Sequence, residues 1–123
     1  MLGPPETSRS LDQLFEESND AVFITDPRED RILDANAAAT RLLGYSREEF
    51  RFTPISQIHP HELPRMRAFL EGALIEGVNW TLEMACRTKS GTFLPTEISL
   101  LALDSGNHVY VVSLVRDRSE HRG

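Results

Sequence analysis

The sequence predicts an α+β domain: one five-stranded antiparallel sheet, with the helices inserted together after strand two and covering one face. Three observations predict it. Between Asn19 and Phe50, a short apolar run, a charged turn, a second extended run and two capped helices follow one another, with a chemical mark at nearly every boundary. A stripe of helical period then occupies residues 60–77. From Asn79 onward the period changes to two and turn residues interrupt it twice, which gives three further strands.

Size and composition set the outer bounds. A chain of 123 residues is one domain's worth and large enough for a core without disulfides or metal. Its 40% hydrophobic and 26% charged residues are those of an ordinary globular protein. A net charge of -6 argues against a nucleic-acid surface, which needs a basic face; Lys89 is the one lysine, and the arginines are scattered. The single cysteine, Cys86, excludes an intramolecular disulfide and fits a reducing compartment. No apolar run approaches the ~20 residues that span a bilayer. The opening MLGPPETSRS lacks the basic and apolar regions of a signal peptide. The expectation is a cytoplasmic domain with no membrane contact.

Residues 1–9, with glycine and two prolines, read as a leader or linker. Ser10-Leu11-Asp12-Gln13 fits an S-x-x-Q capping box, and Leu11, Leu14 and Phe15 share one face of the short helix it starts. Such a helix is too short to stand alone, so its stripe docks on its own domain or between two protomers. Ala21 to Thr25 is the first strand, stopped by Asp26-Pro27; Arg28 to Asp30 is the turn, and Arg31-Ile32-Leu33 resumes the extended pattern. Asn36 is placed to cap a helix over Ala37 to Leu43, with Gly44 at its left-handed end. Ser46-Arg47-Glu48-Glu49 fits a second capping box, S-x-x-E. Arg51 to His59 reads as a poorly periodic connector.

The longest helix runs from Pro60 to Gly77. Met66, Phe69, Leu70, Ala73 and Leu74 form its apolar stripe, which must cover a sheet. Trp80, Leu82, Met84 and Cys86 then alternate with polar or small residues as a half-buried strand. A second strand over Thr92 to Leu103 sets Leu94, Thr96, Ile98 and Leu100 on one face. Pro95 donates no backbone hydrogen bond and belongs near that strand's start or at an edge. Asp104 to Asn107 is a turn, and Val109 to Val115, apolar on both faces, reads as a central strand.

Taken in order, these residues resemble a PAS domain from about Leu11 to Ser119. Glu16-Glu17-Ser18-Asn19-Asp20-Ala21-Val22-Phe23-Ile24-Thr25-Asp26 matches the family's E-x-S-x-D-A opening. Ile32 to Ala38 matches I-L-x-x-N-x-A, and Leu42 to Glu49 matches L-L-G-Y-S-x-E-E. Ile58-His59-Pro60, Lys89-Ser90-Gly91 with Pro95-Thr96-Glu97, and the closing Val115 to Ser119 come next, at the family's spacing. Arg118 stands where the closing D-I-T signature has an apolar residue.

The resemblance implies a PAS fold acting as a non-catalytic sensory and dimerisation module of a larger signalling protein, foremost a sensor histidine kinase in a two-component system. Nucleotide or diguanylate cyclases, phosphodiesterases and transcription regulators are the other outputs it implies. A pocket between sheet and helices would take a small-molecule ligand or a cofactor, flavin or haem. The signal would leave through the last strand into an output domain beyond residues 120–123, which read as the start of a linker. It also implies that Asp117 and Ser119 couple that strand to the outgoing segment, and that a homodimer forms through the Leu11/Leu14/Phe15 helix.

The candidate pocket lining is Trp80, Met66, Leu70 and Met84, for each of which a core position is the plainer reading. Haem-binding members of the family carry their axial histidine on the long helix. Here Leu63 to Gly77 has none, and His61 stands only at its entrance, as a solvated loop histidine would. His59 and His61 form an H-x-H with no acidic or sulfur partner at ligand spacing, so no metal site is expected. The family's flavin photosensors use a cysteine before the long helix. Residues 51–58 contain no cysteine, which excludes that photochemistry, and Cys86 on an apolar strand face reads as a core thiol. No P-loop, H-E-x-x-H or nucleophile elbow is present, so no enzyme activity of its own is expected.

Overall fold

The first hairpin of the computed structural model is β1 (Ala21–Asp26) and β2 (Arg31–Ala35). The structure describes residues 12–59 and 63–119, the side chains of Leu63, Trp80 and Thr81 excepted. The leader 1–9, the capping box at Ser10, Leu11, His61 and residues 120–123 therefore lie outside the described residues. A short helix α1 (residues 12–17) precedes β1. After β2 come α2 (Ala37–Leu43), α3 (Arg47–Phe50), α4 (Ile55–Ile58) and α5 (Leu63–Glu76). Then β3 (Val78–Arg87), β4 (Phe93–Asp104) and β5 (Val109–Asp117) close the sheet.

All neighbouring strands are antiparallel, in the order β2-β1-β5-β4-β3. The last strand is therefore the middle one, as its two apolar faces predict. Pro95, third residue of β4, lies near the strand's start and opposite Ala85. Leu94, Thr96, Ile98 and Leu100 share the inner face of β4, the last three of them buried.

Local chemistry sets the helix ends. Asn36 Oδ1 accepts from Ala39 N at 3.0 Å to cap α2, and Gly44 ends it at φ 88°. Ser46 and Glu49 form the reciprocal capping box of α3. The connector holds a helix that the sequence does not show, because four residues are too few for a period. Asp30 builds it from the β1–β2 turn: at φ 54° its carboxylate accepts from Ser56 N (3.0 Å) and Ser56 Oγ (2.6 Å).

The core lies between the helices and one sheet face. Phe50, fully buried, meets Phe23 edge-on at 5.3 Å and Tyr45 at 5.2 Å. On α5, Ala73 is buried and Met66, Phe69 and Leu70 pack against the core, whereas Leu74 is 40% exposed. The sequence stripe overstates this helix by one residue. α5 packs mainly on β3, an edge strand, so the side of the stripe at Leu74 has no further strand to cover. Gly72 is where the two elements close up: a Cβ there would stand 2.8 Å from Asn79 Nδ2, which donates to Phe69 O.

Candidate functional site

Helices α4 and α5 do not fill the space they enclose against the sheet. A cavity of about 60 Å³ remains, walled by Phe23, Ile32, Met66, Leu70, Ile98 and their apolar neighbours. Among the described residues its polar contributions are Thr25, His59, Cys86 and Ser113, and none of the described lining residues is Asp, Glu, Lys or Arg. Thr25 Oγ1 donates to Val111 O at 3.1 Å, which joins β1 to β5. His59 is buried at the end of α4, with Nδ1 3.3 Å from Ala85 O and Nε2 4.0 Å from Cys86 Sγ. Cys86 Sγ in turn lies 3.3 Å from Thr96 Oγ1, which donates to Met84 O at 2.6 Å. This is a polar seam along one wall of an otherwise apolar space. Thr96 completes the hydrogen bonds of the wall, so the thiol is held rather than presented.

Of the candidate lining residues, Met66 and Leu70 reach this cavity. Met84 is 4% exposed within the core and is not among the residues that line it. Trp80 belongs to β3 by its backbone, and its side chain lies outside the described residues. His59, read from sequence as half of an H-x-H and as part of Ile58-His59-Pro60, faces the cavity. A spacing pattern cannot tell a loop histidine that turns inward from one that stays in water. Among the described residues, no group of three or more His, Cys, Asp or Glu is placed to hold a metal ion.

The strand that walls the cavity is also the last described element. Val111, Ser113 and Val115 of β5 face inward, and the strand ends at Asp117. Asp117 Oδ1 accepts from Ser119 N (2.8 Å) and from Ser119 Oγ, closing a tight turn over the two residues expected to couple. Between them, Arg118 N donates to Pro95 O at 2.8 Å, and its guanidinium pairs with Glu83 and lies 3.9 Å from Glu97. Glu83 and Glu97 are opposite each other on β3 and β4. A cation beside this like-charged pair offsets a repulsion that the sheet would otherwise carry. The arginine in the apolar position of the closing motif thus has a structural partner set.

At the other end of the chain, α1 divides its stripe. Phe15 turns to the domain, where the Arg47 guanidinium lies 5.7 Å over its ring, while Leu14 is 68% exposed. Arg47 holds Asp34 through two bonds of 2.7 and 3.0 Å and Glu16 through one of 2.9 Å. The Arg47 hydrogen bond holds the Asp34 carboxyl below its ordinary pKa against the opposing effect of partial burial.

The family described as PAS domain matches residues 19–120. The methyl sulfide methyltransferase-associated sensor of Methanosarcina acetivorans is 28% identical over 118 residues, covering 95% of this chain and 12% of that protein. The chain thus spans about an eighth of the curated relative it matches. A solved domain of a sensory box sensor histidine kinase/response regulator from Geobacter sulfurreducens superposes with a TM-score of 0.76 at 26% identity, covering 94% of this chain and 97% of that one. The PAS domain of a protein from Colwellia psychrerythraea shares the fold with a TM-score of 0.81 at 24% identity, covering 90% and 96%.

Proposed function

This chain belongs to the PAS domain family, and from that membership we propose that it is a non-catalytic sensory and dimerisation module of a larger signalling protein. The parent is a sensor histidine kinase on this reading, and the module works in the cytoplasm without contacting membrane or nucleic acid. A change in the cavity, caused by a ligand or a partner, passes through β5 to the output domain. One observation carries the proposal: β5 is the middle strand of the sheet, walls the cavity with Val111, Ser113 and Val115, and ends at the Asp117–Ser119 turn. Whatever occupies or vacates the cavity acts on the strand that leaves the domain. The occupant shifts output only by as much as it binds one state more tightly than the other. The sensor-associated relatives point the same way. Self-association through α1 is part of the proposal, supported by the exposed Leu14.

A flavin or haem receptor controlling a cyclase, a phosphodiesterase or a transcription regulator is the second reading. It fits less well. A cavity of about 60 Å³ stands against the ~300–1,000 Å³ of ligand-sized pockets. Helix α5 also carries no histidine to ligate haem iron.

The test uses the full-length protein that contains this chain, with Asp117→Ala at the end of β5. Signal-dependent output, read as autophosphorylation where the output is a kinase, is expected to lose its response while the domain stays folded by circular dichroism. A variant that responds as the wild type does would remove the β5 route.

A further inference from the structure

Arg118 is the first residue after β5, yet its side chain turns back across the sheet. Its N–H donates to Pro95 O at 2.8 Å, one step beyond the Thr96–Asp117 pair that ends the β4–β5 ladder. The guanidinium crosses β4 to pair with Glu83 on β3, and its Nε lies 3.9 Å from Glu97 on β4. Glu83 and Glu97 face each other in register. Glu97 also stands opposite Arg116 on β5, but Arg116 reaches to Asp20 at 3.3 Å instead. Among the described residues, neither glutamate has another ion pair. One cation thus serves two carboxylates, and it belongs to the segment that follows the last strand.

We propose that Arg118 is a positioning residue, an ionic latch opened by salt that fixes the segment following β5 to the β3–β4 hairpin. An apolar residue at this place, as in the closing motif of the family, is held by burial, which dissolved ions do not screen. A guanidinium is held by charge. The side chains here are exposed enough for ions to reach them: 37% for Arg118, 65% for Glu83 and 35% for Glu97. Pairs of this kind shift an equilibrium only a few-fold each, so the latch is closed by a small margin and opens reversibly. It also gives the end of β5 a second mechanical tie. Helix α5 packs on β3, so a shift of α5 reaches Arg118 through Glu83 without passing along β5. The effect of that tie on output rests on the sensory reading above, whereas the latch itself does not.

Amide hydrogen exchange at residue 118 reads the latch, because Pro95 O holds that N–H. The Ala102 amide, held by Gly77 O, is the reference, and both rates are corrected for their intrinsic values. Raising NaCl from about 10 mM to about 1 M shortens the screening length from ~30 to ~3 Å. In wild-type residues 1–123 this is expected to speed exchange at Arg118 about two- to fivefold relative to Ala102. Arg118→Leu is expected to exchange that much faster at low salt and to ignore added salt. Arg118→Glu combined with Glu83→Arg, which swaps the charges, is expected to regain both the protection and the salt dependence. Salt-indifferent exchange in the wild type would overturn the latch, and this comparison needs no variant to fold. Protection in Arg118→Leu equal to the wild type's, or no recovery on swapping the charges, would do the same. In the full-length protein, the resting output of Arg118→Leu is expected to differ from the wild type's by a similar factor. Equal outputs beside an opened latch would take Arg118 out of the signal path. A latch that opens with salt alongside an Asp117-insensitive output would keep this inference and sink the route through β5; a salt-indifferent latch alongside an Asp117-sensitive output would do the reverse.

Discussion

Both ends of the Asn36 amide are engaged in a side chain that is fully buried. Oδ1 accepts from Ala39 N and Val22 N, each at 3.0 Å, while Nδ2 donates to Phe15 O at 2.8 Å and Asp20 O at 3.0 Å. One residue thus joins the start of α2 to β1, to the end of α1 and to the loop between them. The cap to Ala39 is legible in sequence because it is three residues away. The other partners lie 14, 16 and 21 residues back and become neighbours only when the sheet forms. Asn36→Ala is expected to cost about 2–4 kcal/mol, a lost cap plus backbone groups left without partners. Urea denaturation of residues 1–123 measures it, and a loss under about 1 kcal/mol would contradict this role. Asn36→Asp keeps the acceptor but loses both donors, so it is expected to recover little.

At the scale of elements, Arg47 is the fastening between α3, β2 and α1. It comes from a helix whose capping box the sequence shows plainly, yet its partners Asp34 and Glu16 belong to β2 and α1. Arg47 lowers the Asp34 pKa on folding. The stabilisation is therefore present above the unfolded-state pKa and lost as pH falls through the lower folded value. At neutral pH, Asp34→Asn is expected to cost about 0.5–1 kcal/mol, the upper part of the range for a solvent-screened pair with two bonds. The difference from wild type is expected to shrink to nothing in acid below the ordinary carboxylate range. Paired denaturation curves at neutral and acid pH decide the point, and a gap that persists in acid would assign the effect to packing instead. Helix α5 teaches a different lesson about elements. Its stripe names a face, but Leu74 shows that a face has a partner only as far as the sheet extends.

At the scale of the molecule, the last strand enters the middle of the sheet and pairs with the first, so both ends of the domain meet along β1 and β5. The proposed dimer helix α1 precedes β1, and the Asp117 turn closes β5. An event at the α1 interface and one in the cavity therefore bear on the same pair of strands. Sedimentation of residues 1–123 over a concentration series is expected to show self-association that Leu14→Glu abolishes with little change in Tm. Leu14 is already 68% exposed, so the charge burdens only an interface. A wild type that stays monomeric at the highest concentration would count against α1 as the contact.

Sequence alone determined the parts that depend on near neighbours. The capped helices α2 and α3, the alternation of β4, the two-sided apolar β5 and the order of the elements all arise from hydrogen bonds and side-chain periods that repeat within a few residues. Family membership was legible for the same reason, since its motifs are those caps and turns. Tertiary structure decided what depends on distant residues meeting: the far partners of Asn36 and Arg47, the inward turn of His59, and the short helix α4 built on Asp30. It also decided the cavity. A cavity is the volume that packed elements fail to fill, and no single stretch of chain encodes that remainder.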